Sequence, residues 1–244
     1  KTTLEYYQAA GVEQRPILSI AYVVYGYRSI VLPASEVNPY FGTADPCNIN
    51  VNCPEGDPYQ VEKRAVALIL VEGSRWCSGS LINTTSNDLE PYLLTADHCL
   101  GSIDAVANPD AGYWSFYWNY ESPSCENPNK APTFYSTSGA SVVANFKDTD
   151  MALLRLTEAP QDLVNYAAVY MGWSRASTGP LHTVGIHHPQ GDVKKISLAE
   201  GPSSYNSSII NWQDGSRSPV ESHWVVDISS GTTQGGSSGS MLVD

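Results

Sequence analysis

Short runs of β-branched and aromatic residues recur along this chain, each bounded by Gly, Pro, Asn, Ser or Asp. RAVALILV (64–71), WCSGSLIN (76–83), YLLTAD (92–97), GYWSFYWNY (112–120), SVVANF (141–146) and MALLRL (151–156) make one series. AAVYMGW (167–173), HTVGIHH (182–188), KKISL (194–198), IINW (209–212) and HWVVDI (223–228) continue it after Pro160. Runs this short, with turn residues at such spacing, read as strands that end before a long helix can form. No segment sustains a helical period, so the expectation is an all-β barrel or sandwich. Residues 16–32 also read as one or two strands. Residues 33–60 carry Pro, Gly, Cys47 and Cys53 and read as an irregular, stapled connection.

Composition removes several functions. Hydrophobic residues make up 42% of the 244 residues, enough for a packed core rather than a disordered chain. No apolar run approaches the roughly eighteen residues a membrane helix needs. The 25 acidic residues against 13 basic ones give a net charge of −12, which argues against a nucleic-acid partner. That charge is compatible with a cationic substrate, and solubility explains it equally well.

Five cysteines, Cys47, Cys53, Cys77, Cys99 and Cys125, form no CxxC pair. A zinc ribbon or thioredoxin-like site is therefore disfavoured, and a secreted, disulfide-bonded domain is expected. Spacing alone leaves the pairing open, and an odd count leaves one thiol over. The opening residues TTLEYYQAAGVEQRP lack the basic-then-apolar pattern of a secretory leader.

The densest chemical signal is Gly235-Gly236-Ser237-Ser238-Gly239-Ser240. Taken alone, such a run reads as a flexible Gly/Ser turn. GGSSG also matches G-x-S-x-G with Ser237 as nucleophile, but that elbow needs its acid and histidine later in the chain. None of the histidines follows Ser237. The remaining reading makes Ser238 the nucleophile, with partners upstream in the order His, Asp, Ser. His98 ends one apolar strand in PYLLTADHC, and Asp150 precedes another in DTDMALLRL. A serine hydroxyl needs an imidazole to take its proton, and the imidazole needs a carboxylate to hold its tautomer. Glycines beside the serine let the N–H groups of Gly236 and Ser238 face the developing oxyanion.

Together these pieces resemble the chymotrypsin-like (trypsin-like) serine peptidases. TADHC is similar to that family's T-A-x-H-C, DMALLRL to its D-x-x-L-L-x-L, and GSSGS to its G-x-S-G-[GS]. CNINVNCPEGD (47–57), RAVALIL (64–70), CSGSLINTTSND (77–88), FYWNYESPSC (116–125), YMGW (170–173) and GIHHPQGDVKKIS (185–197) resemble the bacterial lysyl endopeptidase branch, from about Cys47 to Val243.

The resemblance implies two antiparallel six-stranded-type β-barrels, with the second incomplete in this chain. It implies a secreted, extracellular bacterial endopeptidase, acting on proteins or peptides after Lys or Arg through an acyl-enzyme. No cofactor and no metal are implied. The expected division is a pro-segment over 1–41, a first barrel with His98 and Asp150 over 42–158, and a second with Ser238 over 159–244. The family pattern implies Cys77–Cys99 and Cys53–Cys125. It pairs Cys47 with a later cysteine, so a further segment, or a second chain linked to Cys47, is expected beyond Asp244. Trp212 falls near the stretch where lysyl endopeptidases carry a tryptophan shielding the catalytic histidine. His187 and His188, in the HHP turn, are expected to be structural or substrate-facing.

Two departures stand out. Chymotrypsin has an acid just before its nucleophile, and Ser237 occupies that place, so its activation switch is absent. Asp97 directly precedes His98, where it would either raise the basicity of the imidazole or face solvent. The rival readings are a glutamyl-type peptidase of the same group and a non-catalytic or inactive fragment.

Overall fold

The computed structural model describes residues 42–73, 75–101, 111–130, 132–212 and 215–244, all within one unit spanning Val31–Asp244. The run 16–32 and the extension 1–41 lie outside the described residues.

After a two-residue strand, β1 (Ile49–Asn50), come β2 (Val66–Val71), β3 (Arg75–Ile82), β4 (Tyr92–Thr95) and β5 (Ser115–Trp118). β6 (Tyr135–Ser138), β7 (Ala140–Phe146) and β8 (Met151–Leu156) follow, and these seven form one antiparallel sheet in the order β6-β5-β2-β3-β4-β8-β7. Its two outer strands, β6 and β7, are separated only by Gly139. One bent segment therefore pairs with β5 on one side and with β8 on the other, and the sheet closes into a barrel without a free edge there.

The bend needs glycine. Gly139 has φ +86°, and a Cβ would sit 2.9 Å from Thr157 Oγ1. Its N–H donates to Trp114 O and its carbonyl accepts from Thr157 N–H, so the corner is bonded on both sides.

The remaining strands are β9 (His182–His187), β10 (Lys195–Glu200), β11 (Ser204–Tyr205), β12 (Ile210–Asn211), β13 (Arg217–Ser218), β14 (Trp224–Val225), β15 (Ile228–Ser230) and β16 (Met241–Val243). The second sheet runs β1-β10-β9-β16, with β15 also on β10, and is open. β11–β14 and β12–β13 are two small hairpin-like pairs.

β2 belongs to the barrel sheet and also packs against the second sheet. Ala67, Ile69 and Val71 point into the barrel core with Leu81, Leu93, Phe116, Trp118 and Leu154. Val66 packs with Val184, Ile186 and Ile196 of the second sheet, and Leu68 with Tyr120 and Val193. A strand buried on both faces reads as a continuous apolar run rather than an alternating one, which is why VALILV lacks polar residues.

The all-β reading holds, with a single α-helix, α1 (Pro160–Asn165), among the described residues. One strand expectation fails. AAVYMGW (167–173) forms only an isolated bridge, Ile82↔Met171. Both edges of β3 are already taken by β2 and β4, so this run meets the sheet only at the end of β3. Ala167 turns through φ +57°, and Tyr166, Ala168 and Tyr170 cap the barrel core instead.

Candidate active site

Pairing register brings the first two candidate residues together. β4 and β8 are antiparallel from Tyr92↔Arg155 to Thr95↔Ala152. The C-terminal end of β4 therefore lies beside the N-terminal end of β8, and His98 and Asp150 continue from those ends. His98 sits in a 3-10 turn, Asp97–Leu100, and Asp150 caps another, Lys147–Thr149, with left-handed φ +50°. The Asp150 carbonyl accepts from Asp97 N–H at 3.1 Å. Its carboxylate takes two bonds from one residue: His98 backbone N–H to Oδ1 at 2.8 Å, and His98 Nδ1 to Oδ2 at 2.7 Å. An ionised carboxylate only accepts, so Nδ1 carries the proton and Nε2 keeps its lone pair. The Asp97 side chain accepts from Asn145 Nδ2 at 2.6 Å. The Cys77–Cys99 disulfide ties the His98 turn to β3.

The serine loop reaches the same rim by a different route. Ser78 of β3 donates its N–H to Ser238 O at 2.8 Å and its hydroxyl to Gly236 O at 2.9 Å. The same hydroxyl accepts from His188 N–H at 3.0 Å, so one β3 serine joins the loop to the end of β9. Two glycines allow this closeness. A Cβ on Gly239 would lie 2.2 Å from Thr95 Oγ1, and one on Gly236, at φ +95°, 2.7 Å from His188 O. β16 then leaves the loop and pairs Met241 with Ile186. Ser238 is partly buried, and its carbonyl oxygen is 3.9 Å from Cys99 Sγ, beside His98. No hydrogen bond joins Ser238 to His98 among the described residues, as is common before substrate binds. Among those residues, no acceptor takes the N–H of Gly236 or Ser238.

Residues 41–244 match the family model for the lysyl endopeptidase C-terminal domain. The chain belongs to that family. It is 27% identical over 217 residues to the lysyl endopeptidase of Pseudomonas aeruginosa, covering 83% of this chain. It spans only 43% of that relative's length. Among solved structures it is similar to the Rv3671c protease of M. tuberculosis. The inactive form gives a TM-score of 0.49 at 17% identity, covering 79% of this chain and 80% of that one. The active form gives 0.49 at 16% identity, covering 88% and 78%.

The other residues singled out in the sequence fall at varied distances from the rim. Trp212 ends the β12 side of a hairpin, is 39% exposed, and donates Nε1–H to Ser218 Oγ at 2.8 Å. The hairpin's other strand, β13, packs against the turn leading into Asp150, which puts Trp212 on the same side of the barrel as the histidine turn. Cys53 and Cys125 are bonded, and Cys47 is an exposed free thiol. His182 is exposed, whereas His187 and His188 are fully buried, so the three do not form one cluster.

A buried carboxylate that sequence reading passed over also supports the loop. Asp192 Oδ1 accepts from Gly42 N–H and Val193 N–H at 2.8 and 2.7 Å, and Oδ2 from Ala44 N–H at 3.0 Å. The strap continues to Gln234, whose Oε1 accepts from Asp45 N–H and Asn48 Nδ2. Asp192→Ala leaves three N–H donors without their acceptor and Lys195, 3.8 Å away, without its anion. It is expected to cost about 3 kcal/mol, read as a lower urea midpoint at unchanged slope. A change under about 0.5 kcal/mol would mean the strap carries no stability.

Proposed function

We propose that this chain is the catalytic part of a secreted serine endopeptidase that cleaves after lysine or arginine. The Asp150 carboxylate, bonded to both the backbone N–H and the ring Nδ1 of His98, carries the reading, because it leaves Nε2 as the base. Ser238 Oγ attacks the scissile carbonyl carbon and gives its proton to His98 Nε2. The tetrahedral oxyanion is held by Gly236 and Ser238 N–H. The imidazolium returns the proton to the leaving amine as the C–N bond breaks, leaving an ester on Ser238. Water, deprotonated by Nε2, attacks that ester, and the serine leaves with the proton.

In this reading residues 1–41 are a pro-segment, 42–158 supply the His98–Asp150 barrel, and 159–244 the Ser238 half. β1 crosses to pair with β10 of that half. Two disulfides support an oxidising, extracellular setting. The lysyl branch motifs and the name of the Pseudomonas relative support a basic residue on the acyl side of the cut.

The test is a cleavage profile of the full-length processed protein on a peptide library, with fluorophosphonate labelling mapped by mass spectrometry. The label is expected on Ser238 and cleavage after Lys, with Arg second. Cleavage mainly after Glu or large apolar residues would overturn the basic specificity. An unlabelled Ser238 in a folded sample would overturn the peptidase reading.

A further inference from the structure

Ser237, one residue before the proposed nucleophile, faces inward rather than towards substrate and is only 6% exposed. Its hydroxyl meets His187 Nδ1 at 2.8 Å, and His187 Nε2 meets Ser197 Oγ at 2.9 Å. His187 is fully buried at the end of β9, directly across the ladder from Lys195. We propose that His187 is a positioning residue that sets the oxyanion-binding loop through Ser237. The proposal rests on the reading of Ser238 as nucleophile.

The hydrogen bonds run in one direction only. Ser197 Oγ–H donates to Thr232 O at 2.8 Å, so its lone pair must accept from His187 Nε2–H. A neutral imidazole with its proton on Nε2 has a bare Nδ1, which accepts the Ser237 hydroxyl proton. Ser237 Oγ in turn accepts from Gln234 N–H at 3.1 Å, while Ser237 N–H donates to Gln234 O at 2.9 Å. The turn Gln234–Ser237 is thus closed on itself and tied through one imidazole to β9, β10 and the segment around Thr232.

The opposite side of the loop is held by Ser78, which binds the carbonyls of Gly236 and Ser238. Clamped on both sides, the peptide units of residues 236–238 keep the orientation that leaves the Gly236 and Ser238 N–H groups unclaimed by the described chain. Such preorganisation fixes donors before charge develops, and a displacement of about 1 Å costs roughly 10²-fold in rate.

The imidazole must also stay neutral. A second proton, on Nδ1, would reverse this bond and leave the Ser237 hydroxyl proton without its acceptor. Desolvation, with Lys195 as the second cause, pushes the His187 pKa down to about 4. The other titratable groups at this end of the sheet are Lys194, whose ammonium bonds Lys63 O, and His188, whose Nδ1 bonds Asp192 O. Asp192 itself lies 3.8 Å from Lys195. The buried positive charge on this side opposes protonation of His187, so the clamp stays intact at neutral pH.

The experiment uses the full-length processed protein, with kcat normalised to sites counted by fluorophosphonate. His187→Leu removes both bonds and is expected to lower kcat by about 10²-fold with KM changed less than about threefold. Affinity for a peptide boronate, which needs the oxyanion donors, is expected to fall in parallel. His187→Asn, whose carbonyl can take the Ser237 proton, is expected to recover most of that loss. Ser237→Ala is expected to lower kcat, and to have little further effect in the His187→Leu background. If His187→Leu does not fold, Ser237→Ala and His187→Asn still decide. An unchanged kcat per titrated site in Ser237→Ala, or additive losses in the double variant, would overturn the proposal. If Ser238→Ala kept its activity, the reading of Ser238 as nucleophile would be what failed.

Discussion

Ser238→Ala is expected to abolish peptide-bond cleavage, a loss of about 10⁶-fold in kcat, while the protein folds and melts as before. The expectation follows from where the side chain sits. Ser238 is held in place by its backbone, through Ser78 N–H on Ser238 O and the Gly239 contact with Thr95. Its hydroxyl makes no hydrogen bond with the described residues, so removing one oxygen leaves packing intact. What disappears is the atom that forms the ester. The oxyanion donors remain, so a residual rate above water is expected. An alanine variant that cleaved within tenfold of the parent would remove Ser238 from the mechanism.

Asp150→Asn is expected to lower kcat by about 10⁴-fold with little change in stability. The structure dictates how an amide would sit here. His98 backbone N–H needs an acceptor, so the amide oxygen takes the place of Oδ1. The amide NH2 then faces His98 Nδ1, where Oδ2 was bonded at 2.7 Å. A donor at that place forces Nδ1 to accept and moves the ring proton to Nε2. The base is then blocked by its own proton, although no atom has moved. The measurement is kcat and KM beside a thermal melt. A loss below tenfold, with Tm unchanged, would show that Asp150 does not set the tautomer.

Both expectations trace to residue types legible in the sequence. TADHC, DMALLRL and GSSGS carry chemistry that few other side chains supply, and their order excluded the elbow reading of Ser237. The strands were legible where one face is buried and the other wet, or where, as in VALILV, both faces are buried. Of the two-residue strands, β12 and β14 lie within IINW and HWVVDI, whereas β11 and β13 were not legible, because so short a polar run has no period to read.

Neighbours decided the rest. AAVYMGW has strand composition, but whether a run pairs depends on a free edge, and β2 and β4 had already occupied β3. Whether Asp97 or Asp150 serves the imidazole is a matter of register, since the β4–β8 ladder puts Asp150 against the ring and the β7–β8 ladder brings Asn145 to Asp97. Barrel closure depends on Gly139 having Thr157 and Trp114 beside it. His187 shows the division most clearly. As a letter it is one histidine of an HHP turn. Its role comes from Ser197 across the ladder and Ser237 in a loop fifty residues away, because a buried imidazole takes its tautomer from its partners. Residue chemistry is local and is written in the chain, whereas hydrogen-bond partnership is long-range and exists only once the strands are in register.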